Sequence, residues 1–495
     1  MSQKSLKQKA ASGMVWTALQ KYSTMFISFI SGIILARLLT PYDYGCIGML
    51  AIFMVLADSF IDGGFGSALI QKKRPTQADY STIFWWNLGM AALMYAILFI
   101  SAPAIARFYN TPILCVVLRV NGLVLFTHAL NLIQHNQLKK KLNFKLLSIV
   151  TIIVTIVNLS ITILLAYKGF GVWALVAQNL IGSALYALIF WFYVKWRPSW
   201  VFSWQSFKDL FSFGFYMFLT HLINNFSGQI QGLLIGKKYT PTTMGYYSKA
   251  SSTEQLASHS ISSIMTQVTY PLFAEVQDDK VTLSNMIKRL SMTLSYITFP
   301  LMFILLLCAK PLFVLLYSDR WLQSIPYFQV LCFAGLAGCL QSANLQAIAA
   351  IGKSKTMFVW TLLKRGVGLV AVVLGLVFLG MKGLLGGMIF NAWFSYFVNI
   401  GLVSKHVGYE FWRQILDLLP VAITSLVAAA VSYGVGHLLH LSMYPDGLVK
   451  AGVYAIIYWG WSFIFKPEAY TYFLTIIPDR FQLFKKLKKS KKQNN

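Results

Sequence analysis

The sequence predicts an all-α polytopic membrane protein of fourteen transmembrane helices, built as two six-helix repeats followed by two further helices. Three observations predict it. Apolar runs of about twenty residues, the length a helix needs to cross a bilayer, fill most of a chain that is 57% hydrophobic and 12% charged. Basic clusters fall between alternate runs, as the positive-inside rule requires. The stretch GIILARLLTPYDYG (32–45) also returns as GLLIGKKYTPTTMG (232–245), so that Gly32, Thr40, Pro41 and Gly45 recur as Gly232, Thr240, Pro241 and Gly245.

Hydropathy places helices near 14–36, 45–69, 80–102, 113–135, 146–167 and 171–194. The first run holds Lys21 and lacks a small-residue cleavage site, which reads as a retained span and not a signal peptide. After a basic, Trp-rich link, KWRPSW (195–200), further runs lie near 210–236, 290–308, 326–351, 357–379, 383–403, 415–438 and 449–465.

Those runs alone leave 237–289 as one loop, and the charges object. With the N-terminal lysines inside, Lys72-Lys73-Arg74, Lys139 to Lys141 and Lys195 also fall inside, but Lys353, Lys355 and the lysines of 485–492 would fall outside. One more crossing, at about 244–271, returns roughly thirty basic residues to the inner face. Its centre, SKASSTEQLASHSISSIMTQ (248–267), is too polar to stand alone in lipid. The repeat requires the same crossing: a span follows TPYDYG, so a span should follow TPTTMG. Lys139, Lys141 and Phe144 reappear as Lys353, Lys355 and Phe358, which extends the repeat over six helices of matching orientation. Parallel repeats of this kind are a transporter design with a site between the halves. The expected organisation is an N-lobe over 1–200, a C-lobe over 201–405, helices 13 and 14 over 406–466, and a basic amphipathic tail over 467–495, with Phe481, Phe484 and Leu487 at helical spacing.

Composition excludes several functions. The +27 charge is dispersed in short clusters between apolar runs, so it reads as membrane topology and not as a nucleic-acid surface. Cys46, Cys115, Cys308, Cys332 and Cys339 lie in or beside apolar runs without metal-ligand spacing. The seven histidines are scattered, and neither a metal nor a cofactor is expected. GGFG (63–66) lies at the end of a span and not between a strand and a helix, so it reads as a place where a helix loosens or a neighbour approaches. No loop is long enough to hold a catalytic domain, so no catalytic residues are assigned.

Intramembrane polar residues are the positive signal, since each costs on the order of 2–3 kcal/mol at a helix centre unless shielded. Lys21, Arg119 and Lys249 are candidates for an anionic group. Asn224, Asn225, Gln229, Gln255, His259, Gln341 and Asn344 offer amide and imidazole partners for hydroxyls. Asp58 and Asp62, one turn apart on one face, together with Glu254 and His221, are candidates for coupling to H⁺ or Na⁺. The bland alternatives are snorkelling for Lys21, Arg119, Lys364 and Arg365, capping for Asp62, and interhelical bonding for the amides.

ADSFIDGGFGSALIQKK (57–73), TYPLFAEVQDD (269–279) and YSDRWLQSIP (317–326) resemble the Wzx-type polysaccharide flippases of the MOP exporter superfamily, most nearly the colanic-acid and teichuronic-acid branch. The resemblance covers the chain to about residue 405. It implies two six-helix lobes in a V around a central cavity. It also implies a polyprenyl-diphosphate-linked oligosaccharide as substrate, turned from the cytoplasmic to the outer leaflet of the bacterial inner membrane, with both termini cytoplasmic. Polysaccharide polymerases and glycosyltransferases are the partners it implies, besides the bilayer. A MATE-like small-molecule or drug exporter is the alternative, and a membrane glycan polymerase a more distant one.

Overall fold

In a computed structural model, which describes residues 3–476, the chain is helical throughout, with no strand among those residues. The helices are α1 (Gln3–Leu38), α2 (Pro41–Asp62), α3 (Phe65–Gln71), α4 (Gln77–Phe108), α5 (Ile113–Asn121), α6 (Val124–Lys140), α7 (Phe144–Tyr167) and α8 (Val172–Tyr193). They continue as α9 (Trp204–Lys238), α10 (Pro241–Glu275), α11 (Lys280–Leu307), α12 (Ala309–Tyr317), a 3-10 turn (Asp319–Ser324), α13 (Ile325–Ala350), α14 (Ser354–Val407), α15 (Phe411–Leu439), α16 (Met443–Phe465) and α17 (Glu468–Ile476). The segment beyond Ile476, which carries most of the expected amphipathic tail, and the side chain of His259 lie outside the described residues.

Local chemistry explains the boundaries. Thr40 caps α2 in a capping box with Asp43, and Pro41 supplies the first helical turn. At the second copy of the motif, Thr240 Oγ1 accepts from the Thr243 amide at 3.2 Å ahead of the helix that begins at Pro241. The repeated Thr-Pro is therefore a helix-start signal used twice. Thr76 with Asp79 makes a further capping box for α4, and Asp279 caps α11. α2 stops because Gly63 and Gly64 adopt φ of +54° and +74°, and α3 continues the same apolar run. α14 breaks in the same way at Gly380, where φ is 62° and ψ −139°, between the two runs that hydropathy separates at 357–379 and 383–403.

Among the described residues, eleven helical stretches are long and apolar enough to cross a membrane, and the chain is a multi-pass membrane protein. α9 and α10 are not among the eleven, although each is 35 residues long. For α10 this is the polarity the sequence predicts. For α9 it departs from the apolar run expected at 210–236, because His221, Asn224, Asn225, Gln229 and Gln231 dilute its Phe and Leu content. Large apolar side chains point outward along the spans, as a lipid solvent favours: Ile100, Phe192, Phe378 and Ile456 are all exposed.

Packing divides the chain into two compact units, Met1–Lys249 and Ala250–Asn495. In the first, Phe65, Leu69, Ile83, Phe84, Ile133, Phe207 and Leu210 form a buried cluster that joins α3, α4, α6 and α9. Leu35, Leu39, Ala166, Ala174 and Leu175 form another, at the far ends of α1 and α7 and the start of α8. In the second unit, Phe273, Leu283, Ile287, Ala347, Ile348 and Val403 bring α10, α11, α13 and α14 together. Tyr458 donates to the Tyr296 carbonyl at 3.0 Å and ties α16 to α11.

Candidate transport site

Within the first unit, Lys249 is the most enclosed cation. It is 5% exposed on α10, donates from Nζ to the Gly32 carbonyl at 2.9 Å, and its ammonium lies 5.3 Å from the centre of the Tyr44 ring. A Cβ at position 32 would lie 3.9 Å from that nitrogen, an ordinary van der Waals contact. The amino group is thus held at a fixed place deep in an apolar unit, where an anion would meet a nitrogen donor at low dielectric.

A second polar group gathers on the other half of α2. Asp58 Oδ1 and His128 Nδ1 are 3.0 Å apart, both about one-third exposed. Asp62 accepts from the Gly66 amide at 3.3 Å, so it bonds beyond the end of α2 much as its capping reading expects. Asn225 Nδ2 donates to Ser59 Oγ at 2.8 Å, bringing α9 onto the same face. His221 is exposed but lies within electrostatic range of Asp62. Of the remaining candidates in this unit, Asn224 is exposed, while Lys21 and Gln229 are half-buried. Arg119 lies apart: its Nε donates to the Phe99 carbonyl at 3.3 Å and its guanidinium stacks 4.2 Å from the Phe99 ring.

Within the second unit, Glu254 is 7% exposed on α10, and its neighbour Thr253 shares a 3.1 Å hydrogen bond with the Tyr317 hydroxyl. Gln255 is exposed and donates to Ser251 Oγ at 3.1 Å. Asn344 is 1% exposed, with a buried Oδ1 that has no hydrogen-bond partner. Gln341 Oε1 accepts from Asn399 Nδ2 at 3.2 Å, and Asn399 Oδ1 accepts from Lys364 Nζ at 2.6 Å.

Two of these groups were not legible as site residues. His128 gives no signal in the sequence beyond a lone histidine in an apolar run. Lys364, which sequence reading treats as a snorkelling residue, is instead 6% exposed and hydrogen-bonded inward, while its neighbour Arg365 is exposed. The side chains at 364 and 399 meet because the break at Gly380 folds α14 back on itself.

A family model described as polysaccharide biosynthesis protein matches residues 34–326. The chain belongs to that family. Its curated relatives include teichuronic acid biosynthesis protein TuaB of Bacillus subtilis, 26% identical over 74% of this chain and 77% of the relative. They also include lipopolysaccharide biosynthesis protein WzxC of Escherichia coli, 24% identical over 88% of this chain and 89% of the relative. Among solved structures, the fold is similar to that of the lipid II flippase MurJ in an inward closed conformation. The TM-score is 0.72, at 14% identity over 91% of this chain and 98% of the other. It is also similar to an inward-facing MATE family transporter of the MOP superfamily, with a TM-score of 0.59, 14% identity, and 83% and 99% coverage. The family of polysaccharide proteins and the MOP fold are those the three sequence motifs led us to expect.

Proposed function

We propose that this protein is a flippase that turns a polyprenyl-diphosphate-linked oligosaccharide from the cytoplasmic to the outer leaflet of the bacterial inner membrane. The observation that carries the reading is Lys249: a buried cation on a helix too polar to stand in lipid, in a chain of the polysaccharide biosynthesis family. A diphosphate needs a cation where the dielectric is low, and Lys or Arg supplies it. Lys21 and Arg119 are the further cations of this reading. The sugars need many hydroxyl and amide partners, which Asn224, Asn225, Gln229, Gln255, His259, Gln341 and Asn344 offer. The lipid stays in the bilayer throughout.

The topology of this reading has fourteen crossings. α9 and α10 each cross once, and α14 crosses twice about Gly380, in addition to the apolar stretches. Both termini are cytoplasmic. The lobes are residues 1–200 and 201–405, arranged as a V whose alternating access moves the substrate, with helices 13 and 14 beyond them. The names of the relatives, which concern teichuronic acid and lipopolysaccharide biosynthesis, support a glycan substrate. A polymerase and glycosyltransferases that make and consume the glycan are the proposed partners.

Lys249→Glu tests the assignment in a strain that depends on this gene. Surface polysaccharide should be lost while the protein accumulates normally in the membrane; full export would sink it. Resistance to cationic drugs on expression, with no effect on polysaccharide, would favour an exporter of the MATE kind.

A further inference from the structure

α10 carries a second buried ionisable group, and its surroundings differ from those of Lys249. Glu254 lies thirteen residues past Pro241, roughly 20 Å along the helix at 1.5 Å per residue. That is well away from either helix end. One carboxyl oxygen engages Ser258, one turn further on. The other, Oε1, is buried and has no hydrogen-bond partner.

Oε1 lies against Gly335 of α13. A Cβ built on Gly335 of α13 would lie 2.2 Å from Oε1 and 3.7 Å from the Met302 methyl of α11. The carboxyl therefore occupies the volume that any larger residue at 335 would need. The titratable groups around it are few. Cys332 of α13 lies one turn before Gly335 and within electrostatic range, and Tyr317 of α12 is engaged by Thr253. α11 contributes Met302 at this contact. On α10 itself, Lys249 directs its ammonium to the Gly32 carbonyl. Among the described residues, no Lys, Arg or His forms an ion pair with Glu254.

An ionised carboxylate with a bare oxygen at this depth is disfavoured twice, by lost hydration and by the absence of a countercharge. The acid form meets neither objection in full, so it fits this burial better than the carboxylate does. Asp58 and Asp62 differ in having partners: His128 Nδ1 lies 3.0 Å from Asp58 Oδ1, and Asp62 accepts from the Gly66 amide. We propose that Glu254 is the exchangeable proton site of the transport cycle, a reading that rests on the flippase assignment. Its Oε1–H bond forms with a proton from water when one side of the protein opens. The acid is carried buried against Gly335. The same bond breaks, returning the proton to water, when the carboxyl is wetted from the other side. No other bond changes.

Two measurements on the full chain in liposomes test this. Infrared spectroscopy without substrate should show a protonated-carboxyl C=O band that declines as pH rises. Glu254→Gln should remove it and Glu254→Asp should retain a titrating band. A band that survives E254Q, or one that never titrates, overturns the proposal. In the second arm, flipping of a fluorescent polyprenyl-diphosphate oligosaccharide should change about five-fold or more when a proton gradient is imposed. E254Q should flip at one rate with or without it, and a variant that still responds places the proton elsewhere. If the band titrates and vanishes in E254Q while wild-type protein moves no oligosaccharide, the proton site stands and the flippase reading falls.

Discussion

Gly45 and Gly245 face one another across the starts of α2 and α10, each set against the other helix's proline. A Cβ on Gly45 would lie 1.7 Å from the Pro241 carbonyl oxygen, and one on Gly245 would lie 1.7 Å from the Pro41 oxygen. The repeated Thr-Pro starts each helix, and the glycine four residues later lets the two starts touch. The obstructing atoms are backbone and cannot rotate away. Gly45→Ala and Gly245→Ala should each destabilise the purified protein by about 1–3 kcal/mol, the usual cost of overpacking. An alanine elsewhere in a helix would stabilise by about 1 kcal/mol, so a lowered melting temperature isolates the contact, and an unchanged or raised one contradicts it.

The other end of α2 makes a comparable approach. Gly64 has φ of +74°, and a Cβ there would lie 2.0 Å from the Gly214 carbonyl of α9. Gly64→Ala meets both the left-handed backbone and the neighbour, whereas Gly63→Ala meets its backbone and the movable Phe65 ring at 2.9 Å. Thermal denaturation should therefore rank Gly64→Ala below Gly63→Ala, and both below wild type. Equal melting temperatures for the two variants would show that the Gly214 contact contributes nothing.

The fold was legible where a residue's role depends on its own stretch of chain. Thr40-Pro41 and Thr240-Pro241 are local start signals, and together with the lysine pattern they locate α10, a helix that hydropathy alone rejects. Pairings between distant residues were not legible. Asp58 and His128 are 70 residues apart, and nothing in either run marks the face it presents. Lys364 illustrates the same limit: its sequence neighbours fit a snorkelling lysine as well as a buried one, and only the approach of Asn399 decides between them. Glu254 was visible as an embedded acid, but its orphaned oxygen depends on Gly335, on another helix.

Outside the apolar spans, α17 is held to α11 by charge. Lys288 Nζ lies 2.9 Å from Glu468 and 3.5 Å from Asp417. Burial pushes the Glu468 carboxyl up, but hydrogen bonds from Tyr472 and Lys288 and the charges of Lys288 and Arg413 outweigh it, holding the group below the ordinary glutamate range. A depressed folded-state value means that the contribution is present above the unfolded value of about 4.3 and is lost as pH falls through the folded one. Wild-type melting temperature should fall on acidification through that window, and Glu468→Gln should show a shallower fall with a lower plateau at neutral pH. Parallel curves for the two proteins would remove Glu468 from the linkage.

Lys364 sits ten residues past Ser354, roughly 15 Å along α14, and its ammonium relies on the Asn399 amide oxygen at 2.6 Å. Asn399→Leu would leave that charge enclosed without its acceptor, which should cost about 2–4 kcal/mol and appear as a lower melting temperature. Lys364→Met alone removes the charge but leaves the Asn399 oxygen unbonded, a smaller loss of about 1–3 kcal/mol. The double variant Lys364→Met/Asn399→Leu replaces both partners with apolar groups and should recover most of the stability lost by Asn399→Leu. Additive single losses in that cycle would mean the two side chains do not depend on one another. Because Asn399 also donates to Gln341, Gln341→Leu in the wild-type background should have the smallest effect of the set, since it removes an acceptor from an amide and not from a charge.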